Sequence, residues 1–232
     1  MSLPPVIFVT GTDTGVGKTV TTAALAVTLQ GRGRSVAVYK PCQSGAAGGD
    51  SDVEEVRRLA GELHAEAGMV LEAPLAPVAA AALQGTNLPP IANHSVRIRE
   101  LAAGHDHVLV EGAGGLLVAL NSDGGTLASL ASLLGRDAAF VTVARAGLGT
   151  LNHTALTLEA LGARDLSVLG LVLGSWPDEP GPAEASNHAV LESQALKASG
   201  PPLLGSLPEN AAGLQPHVFR ETAGSWLKGL PE

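Results

Sequence analysis

The chain has 232 residues, a length that suits one α/β domain of generous size. Hydrophobic residues make up 45% of it and aromatic residues only 3%, so its core has to be built from Val, Leu, Ile and Ala. The formal net charge is −8 and the 14 Lys and Arg residues are scattered, which argues against binding to nucleic acid or to an anionic membrane surface.

The predicted elements of the first half alternate between strand and helix. Short apolar runs predict the strands, and amphipathic or Ala-rich segments predict the helices. In chain order they are a strand over 5–10, a helix over 18–33 with a stop at Gly31, a strand over 35–40, a flexible loop over 45–51, and helices over 52–63 and 73–84.

The second half continues the same alternation. Its predicted elements are strands over 107–115, 138–145, 166–175 and 202–209, interleaved with helices over 126–134, 151–163 and 183–196, and then a short helix over 219–227. Near-continuous apolar strands that alternate with helices are typical of a parallel sheet covered on both faces. We therefore expect a single domain over 1–232 with an α/β fold, a mostly parallel β-sheet and helices on both faces.

The single cysteine, Cys42, excludes an internal disulfide and a cysteine-based metal site. It has no evident partner histidine, so we interpret it as a packing residue and not as a nucleophile. No basic segment precedes an apolar one at the start, and no apolar run reaches the roughly 18 residues of a membrane span. We expect a cytoplasmic protein without a membrane partner.

The segment VTGTDTGVGKTV, residues 9–20, has the context of a phosphate-binding loop. It lies between a predicted strand and a predicted helix, whose start offers free N–H groups and a positive dipole end. The pattern G-x-x-x-x-G-K-[ST] wants a glycine at Thr12, but Gly11 stands one position earlier and is expected to serve the same turn. Lys18 then supplies a cation for the outer phosphates, and Thr19 a hydroxyl for Mg²⁺. These features predict a P-loop NTPase fold.

Three further charged residues are expected at the carboxyl edge of the sheet, where open α/β sheets bind ligands. Glu111 ends a strand and Asp52 opens a helix, so both are candidate Mg²⁺ ligands, although Asp52 is equally well explained as a helix N-cap. Lys40 ends the second strand and can bind phosphate or carboxylate, and Ser44 close behind it can hydrogen-bond a substrate. In the phosphate loop, the acid Asp13 either indicates a nearby amine or is itself an Asx residue that stabilises the turn.

A second glycine-rich helix entrance occurs in RAGLGTLNHT, residues 145–154. Gly147 and Gly149 precede a predicted helix that has Asn152 near its start, an arrangement that favours anions. Without other evidence, ordinary helix capping is the preferred interpretation.

Together, several motifs resemble those of the dethiobiotin synthetase family. They are TGTDTGVGKT, YKPCQSG with DSD further on, VEGAGG, GLGTLNH, GLVLGSWPD and LLGSLPE, in the family's order over residues 6–209. The first motif is shared with wider relatives, whereas YKPCQSG and VEGAGG are far more specific as a pair. The resemblance implies a biotin-synthesis reaction in which 7,8-diaminopelargonate and CO₂ form a carbamate. ATP phosphorylates the carbamate to a mixed anhydride, and ring closure gives dethiobiotin, ADP and phosphate.

The resemblance also implies roles for individual residues. Lys18 and Lys40 are implied as catalytic, and Thr19, Asp52 and Glu111 as ligands of Mg²⁺. The implied substrate-binding set is Thr14, Ser44, Gly149, Thr150, Leu151 and Asn152. The implied nucleotide-binding set is Gly15, Val16, Gly17, Lys18, Thr19, Val20, Asp52, Glu111, Gly112, Ala113, Gly114, Gly174, Ser175, Leu207, Pro208 and Glu209. The family further implies a homodimer that holds the substrate between its subunits, with its carboxylate at residues 149–152.

One departure from the family pattern concerns the nucleotide base. Many members carry an Asn-Asp pair that reads the adenine edge, where this chain has Gly174 and Ser175. Since Gly174 has no side chain to hydrogen-bond a base, we predict weaker selection for adenine and use of other nucleoside triphosphates. The base contacts then fall to backbone, including residues 207–209.

A rival function is that of a partition or positioning ATPase, a P-loop switch that dimerises and binds partners. Such proteins usually show a basic or amphipathic surface for DNA or membrane. The net charge of −8 and the absence of a basic cluster in the sequence count against this alternative.

Overall fold

The computed structural model describes residues 3–49, 51–196 and 200–232. The strands are Val6–Gly11 (β1), Val36–Lys40 (β2), His64–Ala67 (β3), His107–Gly115 (β4), Ala138–Ala144 (β5), Val168–Trp176 (β6) and Leu203–Pro208 (β7). The helices are Lys18–Gly31 (α1), Asp52–Ala60 (α2), Pro77–Gln84 (α3), Ile91–Gly104 (α4), Leu127–Leu134 (α5), Thr150–Gly162 (α6), Pro182–Leu196 (α7) and Pro216–Trp226 (α8).

The seven strands form one sheet in the order β3-β2-β4-β1-β5-β6-β7, and every pairing is parallel. This confirms the predicted α/β class and a parallel sheet. Because all strands run the same way, their carboxyl ends meet at one edge. In the register between β1 and β4, Val9 lies opposite Glu111, so this acid lies beside the end of β1 that leads into the phosphate loop.

Two apolar cores cover the two faces of the sheet. The strand β1 shows the division, since Ile7 and Val9 join a core with α1, α2 and α8, whereas Val6 and Phe8 join one with α4 and α5. Both cores are rich in Val, Leu, Ile and Ala, as the composition indicated. Among the described residues, no helix combines the length and the apolar character needed to span a membrane.

The structure adds two elements that the sequence did not predict, β3 and α4. It also shortens the second and third predicted helices. The helix α2 ends at Ala60 and not at residue 63, because Gly61 has a φ of 88°. The helix α3 begins at Pro77 and not at residue 73, since proline suits the first helical turn.

The predicted flexible loop over 45–51 is partly ordered by hydrogen bonds. Residues Ala46–Gly48 form a short 3₁₀ helix. The N–H groups of Gly45 and Ala46 donate to the carbonyls of Ala73 and Leu71. Residue 50, the first acid of the DSD motif, lies outside the described residues.

Candidate active site

The phosphate loop joins β1 to α1 and is shaped by two close backbone approaches. Gly17 precedes α1 with a φ of 95°, and a Cβ there would lie 2.4 Å from the carbonyl oxygen of Gly174. A Cβ on Gly11 would lie 2.7 Å from the carbonyl oxygen of Asp13. The loop therefore leaves no room for a side chain at Gly11, which is consistent with the prediction that Gly11 serves the turn in place of a glycine at position 12.

The side chain of Lys18 folds back into the phosphate loop, which precedes Lys18 in the sequence. Its Nζ donates to the carbonyl oxygen of Asp13 at 3.0 Å, and only 8% of the residue is exposed. Burial lowers the pKa of Lys18, and the Glu111 carboxylate partly opposes that effect. The ammonium is therefore poorly hydrated, and a phosphate group would stabilise its charged form.

A buried ionic centre joins β2, α2 and β4. The Lys40 Nζ lies 2.7 Å from Asp52 Oδ2 and 2.8 Å from Glu111 Oε1. It also donates to the carbonyl oxygen of Gly112 at 3.3 Å. Lys40 and Glu111 are 4% and 2% exposed, so the ion pair between them is almost fully removed from solvent.

The carboxylates of Asp52 and Glu111 keep Lys40 in its protonated, positively charged form. Burial by itself lowers the pKa of Lys40, but the carboxylates of Glu111 and Asp52 outweigh burial and hold the pKa above its ordinary value. Lys40 is thus a permanent cation at neutral pH. An isolated buried charge would be costly, and the paired arrangement removes most of that cost.

Thr19 brings an oxygen to the same two carboxylates. Its Oγ1 lies 3.0 Å from Asp52 Oδ1 and 2.9 Å from Glu111 Oε1, so its single proton can be donated to either carboxylate. One hydroxyl and two carboxylates form an all-oxygen donor set, which fits Mg²⁺ together with phosphate oxygens and water. In the described residues, His, Cys, Asp and Glu side chains form no group of three or more that could hold a metal ion.

Asp52 is not the N-cap of its helix. Ser51 takes that position, and its hydroxyl accepts from the backbone N–H of Glu54 at 3.2 Å. The carboxylate of Asp52 is therefore free to contact Thr19 and Lys40. The structure thus removes the capping explanation that the sequence left open for this acid.

The carboxylate of Asp13 faces a cation of the protein itself. The Arg145 Nη2 lies 2.5 Å from Asp13 Oδ2, and the backbone N–H of Thr14 donates to Asp13 Oδ1 at 2.7 Å. Asp13 thus bonds to the backbone N–H of the next residue and also faces a positive charge, and its contact with a substrate amine stays a prediction. That charge is the guanidinium at the end of β5.

A cleft of about 1240 Å³ brings many of the predicted residues together. Its walls include the phosphate loop, the ionic centre and the VEGAGG turn. The predicted site residues that line it are Thr14, Gly15, Gly17, Lys18, Thr19, Val20, Lys40, Ser44, Asp52, Glu111, Gly112, Ala113 and Gly114. Cys42 also borders the cleft, but it is buried and burial raises its pKa to about 11, so a packing role suits it better than a nucleophilic one.

The predicted base-side residues lie outside this cleft. Gly174 is buried beside the phosphate loop, and a Cβ on it would lie 2.0 Å from the carbonyl oxygen of Val16. Leu207 is buried in the core on the α1 face of the sheet, so only its backbone is available for a base. The N–H of Glu209 donates to the carbonyl oxygen of Trp176 at 2.9 Å, which ties β7 to the end of β6.

The predicted carboxylate-binding segment also lies away from the cleft. Gly149 precedes α6 with a φ of 89°, and the buried Thr150 opens the helix. Leu148, directly before this entrance, is 82% exposed, and Leu156 of α6 and Leu117, which line one shallow pocket, are 56% and 49% exposed. The segment is therefore a helix start that directly follows an exposed leucine.

Comparison with known proteins gives two kinds of match. A family model described as an AAA domain matches residues 6–216. A protein of Mycobacterium avium (strain 104), ATP-dependent dethiobiotin synthetase BioD, is 52% identical over 230 residues, which cover 97% of this chain and 98% of the relative. A protein of the same name from Rhodococcus jostii (strain RHA1) is 48% identical over 223 residues, covering 96% and 94%.

The chain belongs to the dethiobiotin synthetase family. Its fold is also found in more distant ATPases. The septum site-determining protein MinD complexed with Mg-ADP, from Pyrococcus horikoshii OT3, has a TM-score of 0.55 at 18% identity and covers 97% of this chain and 86% of its own. The cell division ATPase MinD of Pyrococcus furiosus has a TM-score of 0.53 at 23% identity, covering 95% and 97%. At these identities the likeness concerns the fold alone, and it confirms the predicted P-loop NTPase fold.

Sequence reasoning missed several residues that line the cleft of this dethiobiotin synthetase family member. They are Gln43, Arg58, the turn 74–77 and Val118. Gln43 carried a usable signal, because it lies inside the specific motif YKPCQSG between Lys40 and Ser44. The turn 74–77 carried only its two prolines, and we see no sequence signal for Arg58 or Val118.

Proposed function

We propose that the chain catalyses the ATP-dependent carboxylation and ring closure of 7,8-diaminopelargonate with CO₂ to give dethiobiotin, ADP and phosphate. The observation that carries this proposal is the ionic centre, in which Lys40 lies between Asp52 and Glu111 beside the phosphate loop. The family relationship supports the same reaction, since the relatives named above are called dethiobiotin synthetases.

The proposed reaction needs positioned charges and no covalent nucleophile. A carbamate, its phosphorylated anhydride and the departing phosphate are all anionic, so catalysis depends on cations and N–H donors held in place. Lys18 at the loop faces the transferred phosphoryl group, and Lys40 holds the carbamate oxygen. Thr14 and Ser44, both on the cleft wall, hydrogen-bond the diamine or its carbamate.

Mg²⁺ is proposed as the metal cofactor, held by Thr19, Asp52 and Glu111. When bound, it would neutralise negative charge on the outer phosphates. The Thr19 hydroxyl already lies within 3.0 Å of both carboxylates in the protein. Lys40 shares both carboxylates, so the same two acids orient the catalytic ammonium and the metal.

The substrate carboxylate is proposed to bind at residues 149–152 across a homodimer interface. The free N–H groups at the start of α6 suit an anion. The exposed leucines Leu117, Leu148 and Leu156 suit burial against a second copy of the chain. In a dimer of this kind, the carboxylate end of the substrate would be bound by one subunit and its amines by the other.

The nucleotide is proposed to be ATP with weak selection for its base. Gly174 offers no side chain, and its backbone is packed against Val16 of the phosphate loop. Turnover with CTP and GTP, measured against ATP, tests this part. A strict requirement for ATP would contradict it.

The deciding experiment incubates the protein with diaminopelargonate, bicarbonate, Mg²⁺ and a nucleoside triphosphate, and detects dethiobiotin by mass. We expect a product whose amount depends on all four components. If no dethiobiotin forms, and nucleotide hydrolysis is instead stimulated by DNA or lipid, the rival function as a positioning ATPase is correct.

A further inference from the structure

Gln43 is a buried polar residue to which the proposed reaction assigns no role. It is 3% exposed and belongs to the motif YKPCQSG. Its backbone N–H donates to the carbonyl of Met69, and its own carbonyl accepts from the N–H of Leu71, both at 2.8 Å. The position of Gln43 is therefore fixed by backbone bonds to the segment that follows β3.

The side chain of Gln43 bonds to two residues of the candidate site. Its Nε2 donates to the carbonyl oxygen of Ser44 at 2.9 Å, and its Oε1 accepts from the backbone N–H of Asp52 at 3.0 Å. Both ends of the amide are thus satisfied, as a buried amide requires. One partner is Ser44, a candidate substrate-binding residue, and the other is Asp52, a candidate metal ligand.

The bond between Gln43 and the backbone N–H of Asp52 stabilises the start of α2. Asp52 is the first residue of α2, and N–H groups in the first turn of a helix have no partner within the helix. Ser51 satisfies the N–H of Glu54, and Gln43 satisfies that of Asp52 from outside the helix. The start of α2 is therefore fixed by hydrogen bonds to Ser51 and to Gln43. These bonds also fix the backbone from which the Asp52 carboxylate extends.

We propose that Gln43 is a positioning residue that holds the metal-ligand carboxylate of Asp52 and the substrate residue Ser44 at a fixed separation. Along the chain, Ser44 and Asp52 are separated by a glycine-rich stretch, whereas the side chain of Gln43 bridges them directly. This inference rests on the proposed function for its substrate part. Residues that orient metal ligands typically change metal affinity or activity about 10–100-fold when substituted.

The first test replaces Gln43 by methionine, which keeps the length of the side chain and removes both bonds. Calorimetry measures the binding of inorganic tripolyphosphate, which has no base, once with MgCl₂ and once with EDTA. We expect Gln43→Met to weaken binding about tenfold with Mg²⁺ and to leave binding in EDTA unchanged. The EDTA measurement reports the phosphate loop alone, so a general loss of folding would lower both.

The second variant, Gln43→Glu, separates the two bonds. One carboxylate oxygen can still accept from the N–H of Asp52, whereas the other faces the carbonyl oxygen of Ser44 and repels it. We expect Mg²⁺-dependent tripolyphosphate binding to recover relative to Gln43→Met. Because this repulsion displaces Ser44, the KM of Gln43→Glu for diaminopelargonate should be raised about fivefold over that of the unsubstituted protein, with little change in kcat. An unchanged KM in Gln43→Glu would overturn the substrate part of the proposal, even if Gln43→Met does not fold.

Gln84 provides a matched control. Its Oε1 also accepts a backbone N–H from across a loop, that of Glu72 at 3.0 Å, and it does not line the cleft. Gln84→Met should leave tripolyphosphate binding and KM unchanged. If Gln43→Met binds tripolyphosphate with Mg²⁺ as tightly as Gln84→Met does, Gln43 is not a positioning residue. If the unsubstituted protein makes no dethiobiotin while Gln43→Met still loses Mg²⁺-dependent binding, the proposed function fails and the metal part of the inference stands.

Discussion

The candidate phosphate and metal centre of the cleft and the region expected to hold the base are built in opposite ways. The centre consists of side chains from four elements, with Lys40 Nζ within 2.8 Å of both Asp52 and Glu111, and the Thr19 hydroxyl within 3.0 Å of the same two acids. The base region consists of backbone, with Gly174 packed against the loop and Leu207 turned into the core. We therefore expect function to depend on side-chain identity in the centre and on the absence of a side chain in the base region.

The two regions should therefore tolerate different kinds of substitution. A change of charge in the centre leaves a buried partner without its counter-ion, so the effect is large and chemical. A change in the base region alters the space available to the phosphate loop, so the effect is steric. The following experiments test that division, starting with the largest expected effect.

Lys40→Ala tests whether the centre acts through charge. We expect turnover to fall by at least about 10²–10³-fold, the size of effect seen when one donor to a developing anion is lost, while nucleotide binding with Mg²⁺ is largely kept. The variant also leaves Glu111 without its buried cation, which should lower the free energy of unfolding by about 3–5 kcal/mol in metal-free buffer. The measurements are steady-state turnover, nucleotide titration and thermal unfolding with and without Mg²⁺.

The exposed Lys228 is the control for that experiment, and Lys228→Ala should behave like the unsubstituted protein. Loss of nucleotide binding together with turnover in Lys40→Ala would assign Lys40 to the nucleotide and contradict its proposed role at the carbamate.

Gly174→Asn tests whether the base region depends on space. Asparagine would restore the side chain typical of the family, but its Cβ would lie 2.0 Å from the carbonyl oxygen of Val16 and 2.5 Å from Val143 Cγ1. We expect a loss of about 1–3 kcal/mol in unfolding free energy and weaker binding of every nucleotide, because the loop must shift. Chemical denaturation and nucleotide titration measure the two effects.

Ser175→Asn is the matched control, since Ser175 is exposed and one position further along β6. It should change stability little. A Gly174→Asn protein that is fully stable and prefers ATP would show that the backbone can open, and it would contradict the steric explanation.

Some residues of the candidate site could be predicted from the sequence because they lie at the end of a predicted strand or shortly after it. Lys18, Lys40 and Glu111 each follow or end an apolar run, so their meeting at one edge follows from a parallel sheet. The strand β3 escaped prediction because it is a four-residue edge strand, too short for a pattern. The helix α4 escaped because it buries His94 and Ser95, which break its amphipathic pattern.

Contacts between distant residues that do not lie at the ends of neighbouring strands could not be predicted. The ion pair of Asp13 and Arg145 joins residues 132 positions apart, and the bond from Asp52 to Gln43 crosses a glycine-rich loop. Neither residue pair has a spacing that a helix or strand would impose. Tertiary packing alone brings them together, so the sequence left the partner of Asp13 open.

The pH dependence of nucleotide use tests how strongly Lys18 is buried. A phosphate group is bound by the protonated ammonium, and the protonated fraction falls as pH rises through the pKa. Because burial lowers the pKa of Lys18, kcat/KM for the nucleotide should decline on the alkaline side at a lower pH than an exposed lysine would cause. Each further pH unit should cost about tenfold.

Lys18→Arg identifies the group responsible for that decline. Arginine stays charged throughout the accessible range, so the alkaline decline should disappear even if the variant binds nucleotide less tightly. A decline that persists unchanged in Lys18→Arg would assign it to another group.

Asp13→Asn is expected to have the smallest effect, although Asp13 lies at the mouth of the same loop. Its ion pair with Arg145 is nearly half exposed on both sides, and exposed pairs contribute about 0.2–1 kcal/mol. The amide oxygen of asparagine can still accept from the N–H of Thr14, and the backbone carbonyl still accepts from Lys18. We therefore expect kcat/KM to change by at most about fivefold.

A double-mutant cycle with Arg145→Gln decides which cation Asp13 serves. If its partner is Arg145, the two single variants and the double variant should have similar kcat/KM values, because each removes the same interaction. If Asp13 instead binds an amine of the substrate, Asp13→Asn should raise the KM for diaminopelargonate more than about tenfold while Arg145→Gln does not. The first outcome would assign Asp13 to shaping the phosphate loop, and the second would add Asp13 to the charged side chains on which the reaction depends.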